Sequence, residues 1–282
     1  MNHMIETDNG KMGYYYREAK ENATTLVFLE GFGGTNAYYN FKAVIDRLPK
    51  KYGILTLDYL GYGLSEITTA PRTIENIRAE LNNVIKTFNL HKIVLFTHSI
   101  GGFYGFDYYL HFPEQIIGFV GIEPTTYEVL QANPQENAGF LQAAEAFNQL
   151  STEEKEKELS AVDPTGMQNP YLNAEDAKRD LELSKEKVFN ANLIDATQRL
   201  LESLKEIKGK KISGILPTLL FSTKERTQAF KHSGYLSKNS LSRLVSLDGN
   251  HYLHWCCPEQ LVLETERFLA DIEKTSAEGS LE

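Results

Sequence analysis

The sequence predicts an α/β protein: an eight-stranded, mostly parallel sheet with helices on both faces, interrupted by an inserted helical unit. Three observations predict it. Short, nearly continuous apolar runs alternate with helical patterns from residue 24 onward, as strands buried on both faces do. An Asn9–Gly10 pair separates two strand-like runs at the N-terminus, a strong hairpin signal. Between Glu123 and Pro217 the strand rhythm stops and helical patterns take over.

The hairpin joins residues 4–7 to 12–16 and supplies an antiparallel pair at the N-terminal edge of the sheet. Six further strands are expected at 24–30, 53–58, 92–97, 116–123, 217–223 and 243–247. The inserted unit reads as helices over 137–150, 151–160, 174–188 and 195–208. Ser151 opens the second of these as an N-cap, with Glu154 completing a capping box. The expected organisation is a core of residues 1–123 and 214–282 with a helical cap over 124–213. The insertion leaves the sheet at the C-terminal end of a strand, where α/β proteins bind ligands, so a lid is expected rather than a decorative bundle.

Composition limits the partners. Lys and Arg number 29 and Asp and Glu 38, a net charge of −9. That balance argues against nucleic acid or an anionic membrane surface as the main partner. No apolar run approaches the roughly 20 residues of a membrane span, and the N-terminus lacks the apolar core of a signal peptide, so a cytoplasmic protein is expected. The cysteines are Cys256 and Cys257, adjacent, which excludes a disulfide framework and fits a reducing compartment.

Residues 26–34 read LVFLEGFGG, a strand running into a glycine-rich turn. A dinucleotide phosphate loop would carry Gly-x-Gly-x-x-Gly with an acidic residue about 20 positions on. Gly31 and Gly33 fit and Asp58 is placed to be the acid, but Asn36 stands where the third glycine belongs. Residues 92–105, KIVLFTHSIGGFYG, offer different chemistry: a strand, then Ser99, then Gly101–Gly102 and a helical stretch. That is the layout of a nucleophile elbow, Gly-x-Ser-x-Gly, with Thr97 in the place of the first glycine.

With these motifs together the chain resembles the α/β-hydrolase fold superfamily, a serine hydrolase with a helical cap. The resemblance rests on EGFGG after the third strand, Asp58-Tyr59-Leu60-Gly61-Tyr62-Gly63-Leu64-Ser65 after the fourth, THSIGG after the fifth and GNHYLHWCCP near the end, and covers nearly the whole chain. It implies Ser99 as nucleophile and His251, just past the last strand, as the base that takes its proton. His254 competes and is read as a helix-start residue; His98 is read as structural. The triad acid follows the seventh strand in much of the family, which points to Glu225, with Ser222 where a glycine is usual. Glu123, ending the strand before the cap, is the alternative acid. The resemblance also assigns the oxyanion hole to the backbone N–H groups of Phe32 and Ile100.

Glu30 departs from the family, which usually has histidine there. At an effective dielectric of about 20, two unit charges 4 Å apart interact by roughly 4 kcal/mol, so an ionised Glu30 beside the oxyanion would cancel about one hydrogen-bond donor. Its carboxyl is therefore expected to point away, to be held by hydrogen bonds or to be protonated. The alternative is a substrate contact to a cationic group. The expected activity is carboxylic ester hydrolysis through an acyl-enzyme on a small-molecule substrate, with no metal and no organic cofactor. A carbon–carbon bond hydrolase or acyltransferase on the same triad, and a slow-turnover ligand-binding protein, are the alternatives. Tyr127, Tyr171, Phe140 and Phe189 fit either a pocket wall or helix packing.

Overall fold

A computed structural model describes residues 3–20, 23–161 and 168–278. Eight strands form one sheet in the order β1-β2-β4-β3-β5-β6-β7-β8. They are β1 (His3–Thr7), β2 (Gly10–Arg17), β3 (Thr25–Leu29), β4 (Gly53–Leu57), β5 (Ile93–His98), β6 (Ile116–Ile122), β7 (Thr218–Thr223) and β8 (Arg243–Leu247). β1, β2 and β4 pair antiparallel and all other neighbours pair parallel, so the hairpin does form the antiparallel edge.

The central strands are apolar on both faces because helices cover both. Leu26, Phe28 and Ile54 pack into one layer with α1 (Ala37–Ile45) and α11 (Pro258–Glu278). Val27, Leu29, Leu55 and Leu57 turn to the other, against α2 (Ile74–Thr87) and α3 (Ile100–His111). Side chains of a strand alternate between its faces, so a run such as TLVFL feeds two cores at once.

Between β6 and β7 the described residues form helices and no strand: α4 (Tyr127–Ala132), α5 (Pro134–Gln149), α6 (Thr152–Ala161), α7 (Ala174–Lys187) and α8 (Ala191–Leu204). The short helices α9 (Thr227–Lys231) and α10 (Leu253–Cys256) follow β7 and β8. The capping box forms as expected, with Ser151 N–H donating to Glu154 at 2.8 Å and Glu154 N–H to Ser151 Oγ at 3.3 Å. Two helix starts differ from the sequence expectation. α5 begins at Pro134, which is tolerated in a first turn because its missing N–H would be unpaired there anyway. α8 begins at Ala191 because Asn190 caps it, accepting from the N–H groups of Asn192 and Leu193. α4, six residues long, is too short to show a helical period.

Polar side chains tie the inserted helices to the sheet. Lys187 Nζ donates to Ser65 O at 2.6 Å, Asn190 Nδ2 to Gly61 O at 2.8 Å and Asn169 Nδ2 to Tyr39 O at 2.9 Å. Arg72 N–H donates to Asp195 at 2.6 Å. The Arg72 guanidinium meets Glu80 through two bonds of 2.7 Å, with both side chains 2% exposed, and Asn9 Nδ2 adds a third donor to that carboxylate at 2.8 Å. Removing one partner of a buried pair strands the other charge, so Glu80→Gln is expected to cost about 3–5 kcal/mol by denaturant unfolding. A loss below about 1 kcal/mol would contradict that reading, because the pair would then be no better than a solvated surface contact.

Candidate active site

The parallel register gathers the site residues. Leu29 aligns with Thr97, His98 with Ile122, Ile122 with Phe221, and Thr223 with Leu247. The segments leaving β3, β5, β6, β7 and β8 therefore start along one edge. From that edge project Glu30, Ser99, Glu123, Arg226 and His251.

Ser99 sits between β5 and α3 with φ 52° and ψ −121°, a left-handed conformation that a side chain rarely adopts. Its backbone is fixed from three sides. Ser99 N–H donates to Ile122 O at 3.0 Å, and Ser99 O accepts from Gly102 at 2.9 Å and Thr125 at 2.9 Å. Gly101 is required by close approach: a Cβ there would lie 2.2 Å from Leu29 O. Thr97, in place of the elbow's first glycine, is accommodated by Gly105. A Cβ on Gly105 would lie 2.9 Å from the Thr97 methyl, while the Thr97 hydroxyl donates to Val120 O at 3.0 Å.

His251 follows β8, and the carboxylate brought to it is that of Glu123. Glu123 Oε2 lies 3.5 Å from His251 Nδ1. Thr223 N–H donates to Glu123 Oε1 at 2.7 Å, and the Arg226 guanidinium pairs with Oε2. Glu123 is 1% exposed, and its backbone is left-handed, φ 47°, immediately before Pro124. Burial alone would raise its pKa. Hydrogen bonding to His251 and to Thr223 N–H, with the Arg226 charge, outweighs that and holds the carboxyl below the usual range. Glu225 does not reach the histidine: it is exposed on the turn after β7. The sequence places Glu225 behind His251; the carboxylate found there is that of Glu123 instead. The physical reason is the turn itself. β7 ends by donating a backbone N–H and the Arg226 side chain to a carboxylate from the end of β6, so the turn after β7 holds that carboxylate beside His251. Two signals in the sequence pointed this way: Ser222 in place of the family glycine, and an acid directly at the end of β6 before Pro124.

The neighbouring histidines are buried and neutral. His98 is 1% exposed and His254 is fully buried. Burial pushes the His98 pKa well below its ordinary value, helped by His254 and His251, and lowers that of His254 to about 3. His98 Nε2 donates to His251 O at 3.0 Å, fixing the backbone of the candidate base. His254, in α10, donates from Nε2 to Asn40 Oδ1 at 2.7 Å. His98 Nδ1 and His254 Nδ1 are left as buried acceptors without a partner among the described residues.

The glycine turn after β3 carries Phe32, whose ring packs edge-on against Phe140 of α5 at 4.8 Å. Among the described residues the backbone N–H groups of Phe32 and Ile100 have no acceptor; Ile100 is the first residue of α3, where helix N–H groups are unpaired. Asn36, in the place of the third dinucleotide glycine, is the N-cap of α1 and accepts from Tyr39 N–H at 3.1 Å. Asp58 is buried and spent on Asn36 Nδ2, Ala37 N–H and Leu64 N–H at 2.8–2.9 Å, which leaves it no ribose to hold. Two cavities flank Phe32. One of about 310 Å³ is lined by Ser99, Ile100, Phe140 and Leu200; the other, of about 330 Å³, by His98, Asn40, Tyr252 and Lys185. Phe189 packs at a tilt against Phe140 at 5.3 Å, Tyr127 is buried elsewhere, and Tyr171 is exposed beneath the Arg47 guanidinium.

Glu30 is fully buried. Thr35 Oγ1 donates to its Oε2 at 2.5 Å, and its Oε1 has no partner. Burial raises its pKa well above the ordinary value, and the nearby Asp58 raises it further. Burial thus biases the Glu30 carboxyl toward its neutral form inside the core, where Thr35 holds it. A carboxyl whose pKa is raised on folding contributes most below its unfolded value of 4.5, and that contribution is lost as pH rises through the folded value. Glu30→Gln, which mimics the neutral acid, is expected to gain unfolding midpoint relative to the parent as pH rises above 4.5. A variant that loses ground with rising pH would show that the ionised form stabilises the fold.

Residues 24–255 match the family described as alpha/beta hydrolase fold, and the chain belongs to it. Among solved structures it is similar to Smu.1393c from Streptococcus mutans, with TM-score 0.69 and 24% identity over 96% of this chain and 98% of that one. It is also similar to epoxide hydrolase VrEH1 from Vigna radiata, with TM-score 0.74 and 15% identity over 96% and 98%. At such identities these likenesses show the fold. A (lyso)-N-acylphosphatidylethanolamine lipase of Bos taurus is 28% identical over 117 residues, 40% of this chain and 34% of that protein. A 2-hydroxy-6-oxononadienedioate/2-hydroxy-6-oxononatrienedioate hydrolase of Escherichia coli is 28% identical over 116 residues, 40% of each chain. The chain spans about a third of the length of the lipases it matches. No helix among the described residues is long and apolar enough to cross a membrane.

Proposed function

We propose that the protein is a serine hydrolase that cleaves carboxylic esters through an acyl-enzyme, with Ser99, His251 and Glu123 as its triad. The observation that carries this is the carboxylate of Glu123 3.5 Å behind His251 Nδ1, at the same sheet edge as a serine held at φ 52°. In this mechanism Ser99 Oγ attacks the ester carbonyl carbon and passes its proton to His251 Nε2. Glu123, acceptor to Nδ1–H, sets the tautomer and stabilises the imidazolium. The oxyanion is received by the free N–H groups of Phe32 and Ile100. His251 returns its proton to the leaving alcohol. It then activates water to release the acid. The helical unit over 124–213 acts as the cap, its Phe140 and Leu200 facing the Ser99 cavity.

A serine at the elbow separates this chain from chemistry that needs an aspartate there, despite epoxide hydrolases among its structural neighbours. Cleavage of a carbon–carbon bond by the same triad is the second reading, favoured by the E. coli relative. The test is ester turnover by single variants. Glu123→Gln is expected to lower kcat on an activated ester by up to about 10⁴-fold, as loss of the tautomer-fixing acid does, while Glu225→Gln stays within about twofold of the parent. Full activity of Glu123→Gln with loss in Glu225→Gln would return the acid to Glu225.

A further inference from the structure

Beyond Ser99 lies a second cavity that the proposed chemistry does not use. Phe32 lines both the Ser99 cavity and its neighbour of about 330 Å³, so the two adjoin at this residue. The second cavity is walled by the sheet edge on one side and by the inserted helices on the other. Its apolar wall includes Leu159, Leu181, Val188 and the stacked pair Tyr252–Trp255, with ring centroids 4.2 Å apart. Such a wall with a few convergent polar groups is the usual form of a small-molecule site.

The polar groups are unequal. Lys185 of α7 is half-buried in the lining, and among the described residues it forms no ion pair and no hydrogen bond. Its near neighbour Lys187 differs, since that ammonium donates to Ser65 O. Among the described residues no acid lines the cavity, and His98 there is neutral with a buried Nδ1 acceptor that has no partner among them. Glu182, one turn before Lys185, already pairs with Arg179 at 3.4 Å. A half-buried lysine beside an apolar wall, with no counter-charge among the described residues, is a position that an anion would satisfy.

We propose that this cavity receives one arm of the substrate and that the arm ends in a carboxylate, which Lys185 binds. The proposal rests on the ester-hydrolase reading and narrows its substrate class to half-esters, in which a free acid lies one cavity away from the reacting carbonyl. Phe32 then serves twice: its N–H faces the oxyanion and its residue marks where the reacting group's cavity meets that of the charged end.

Matched esters test it. Mono(4-nitrophenyl) adipate against 4-nitrophenyl hexanoate places the charge on the acyl side; 4-carboxyphenyl acetate against 4-methylphenyl acetate places it on the alcohol side. In one pair, Lys185→Gln is expected to raise KM for the carboxylate member relative to its neutral partner by about tenfold, with a larger shift in Lys185→Glu. Equal effects on both members of both pairs would overturn the proposal. Adipate is also expected to raise the unfolding midpoint of the parent protein more than hexanoate does, and Lys185→Gln to abolish the difference. Should neither neutral ester be hydrolysed, the hydrolase reading falls while this binding measurement still decides the cavity: no selective stabilisation by adipate sinks it.

Discussion

The site depends on how closely the first turn of α3 approaches the end of β3. With hydrogen in place of a side chain, Gly101 brings the helix start against Leu29 O, where a Cβ would be only 2.2 Å away. That contact sets the Ile100 N–H beside the glycine turn that carries Phe32, and it forces Ser99 into its left-handed turn between two fixed elements. Strain of this kind costs of order 1–3 kcal/mol and persists only where the surroundings over-determine it. Here three backbone hydrogen bonds to Ser99 and the packing of Gly105 on Thr97 do so.

Around this point the protein keeps charge in few places. Glu30, His98 and His254 are all buried and all neutral, each through burial opposing the charged form. Glu123 is the exception, ionised because Thr223 N–H, Arg226 and His251 meet it together. Beside His251 stand one anion, Glu123, and one cation, Arg226, and in the proposed mechanism the anion is what stabilises the imidazolium. The arginine on the same carboxylate oxygen anchors the acid to the turn after β7 and so ties two strand ends together.

Most of the fold was legible because buried parallel strands announce themselves. Runs such as TLVFL and IVLF have no polar face to confuse the period, and Asn9–Gly10 marks the hairpin. The placement of Ser99 and His251 was legible for a related reason: each follows a strand and so starts from the same sheet edge. Glu123 was harder: Ser222 and the acid before Pro124 hint at it, but neither fixes which carboxylate reaches the histidine. The choice between Glu123 and Glu225 depends on the direction of the chain after β7, a tertiary fact. Glu30 is similar: its neutrality comes from full burial beside Asp58, which no local pattern encodes. The short helix α4 and the start of α8 at Ala191 lie outside the sequence expectation because their caps, Thr126 and Asn190, rather than periodicity define them.

The central claim is that Ser99 is an activated nucleophile at the mouth of the Phe32 turn. Its most direct measurement is labelling with a fluorophosphonate followed by peptide mapping. The account predicts one phosphonyl group per chain, on Ser99, with labelling abolished in Ser99→Ala and slowed in His251→Ala. No labelling of the folded protein, or labelling that persists in Ser99→Ala, would contradict it.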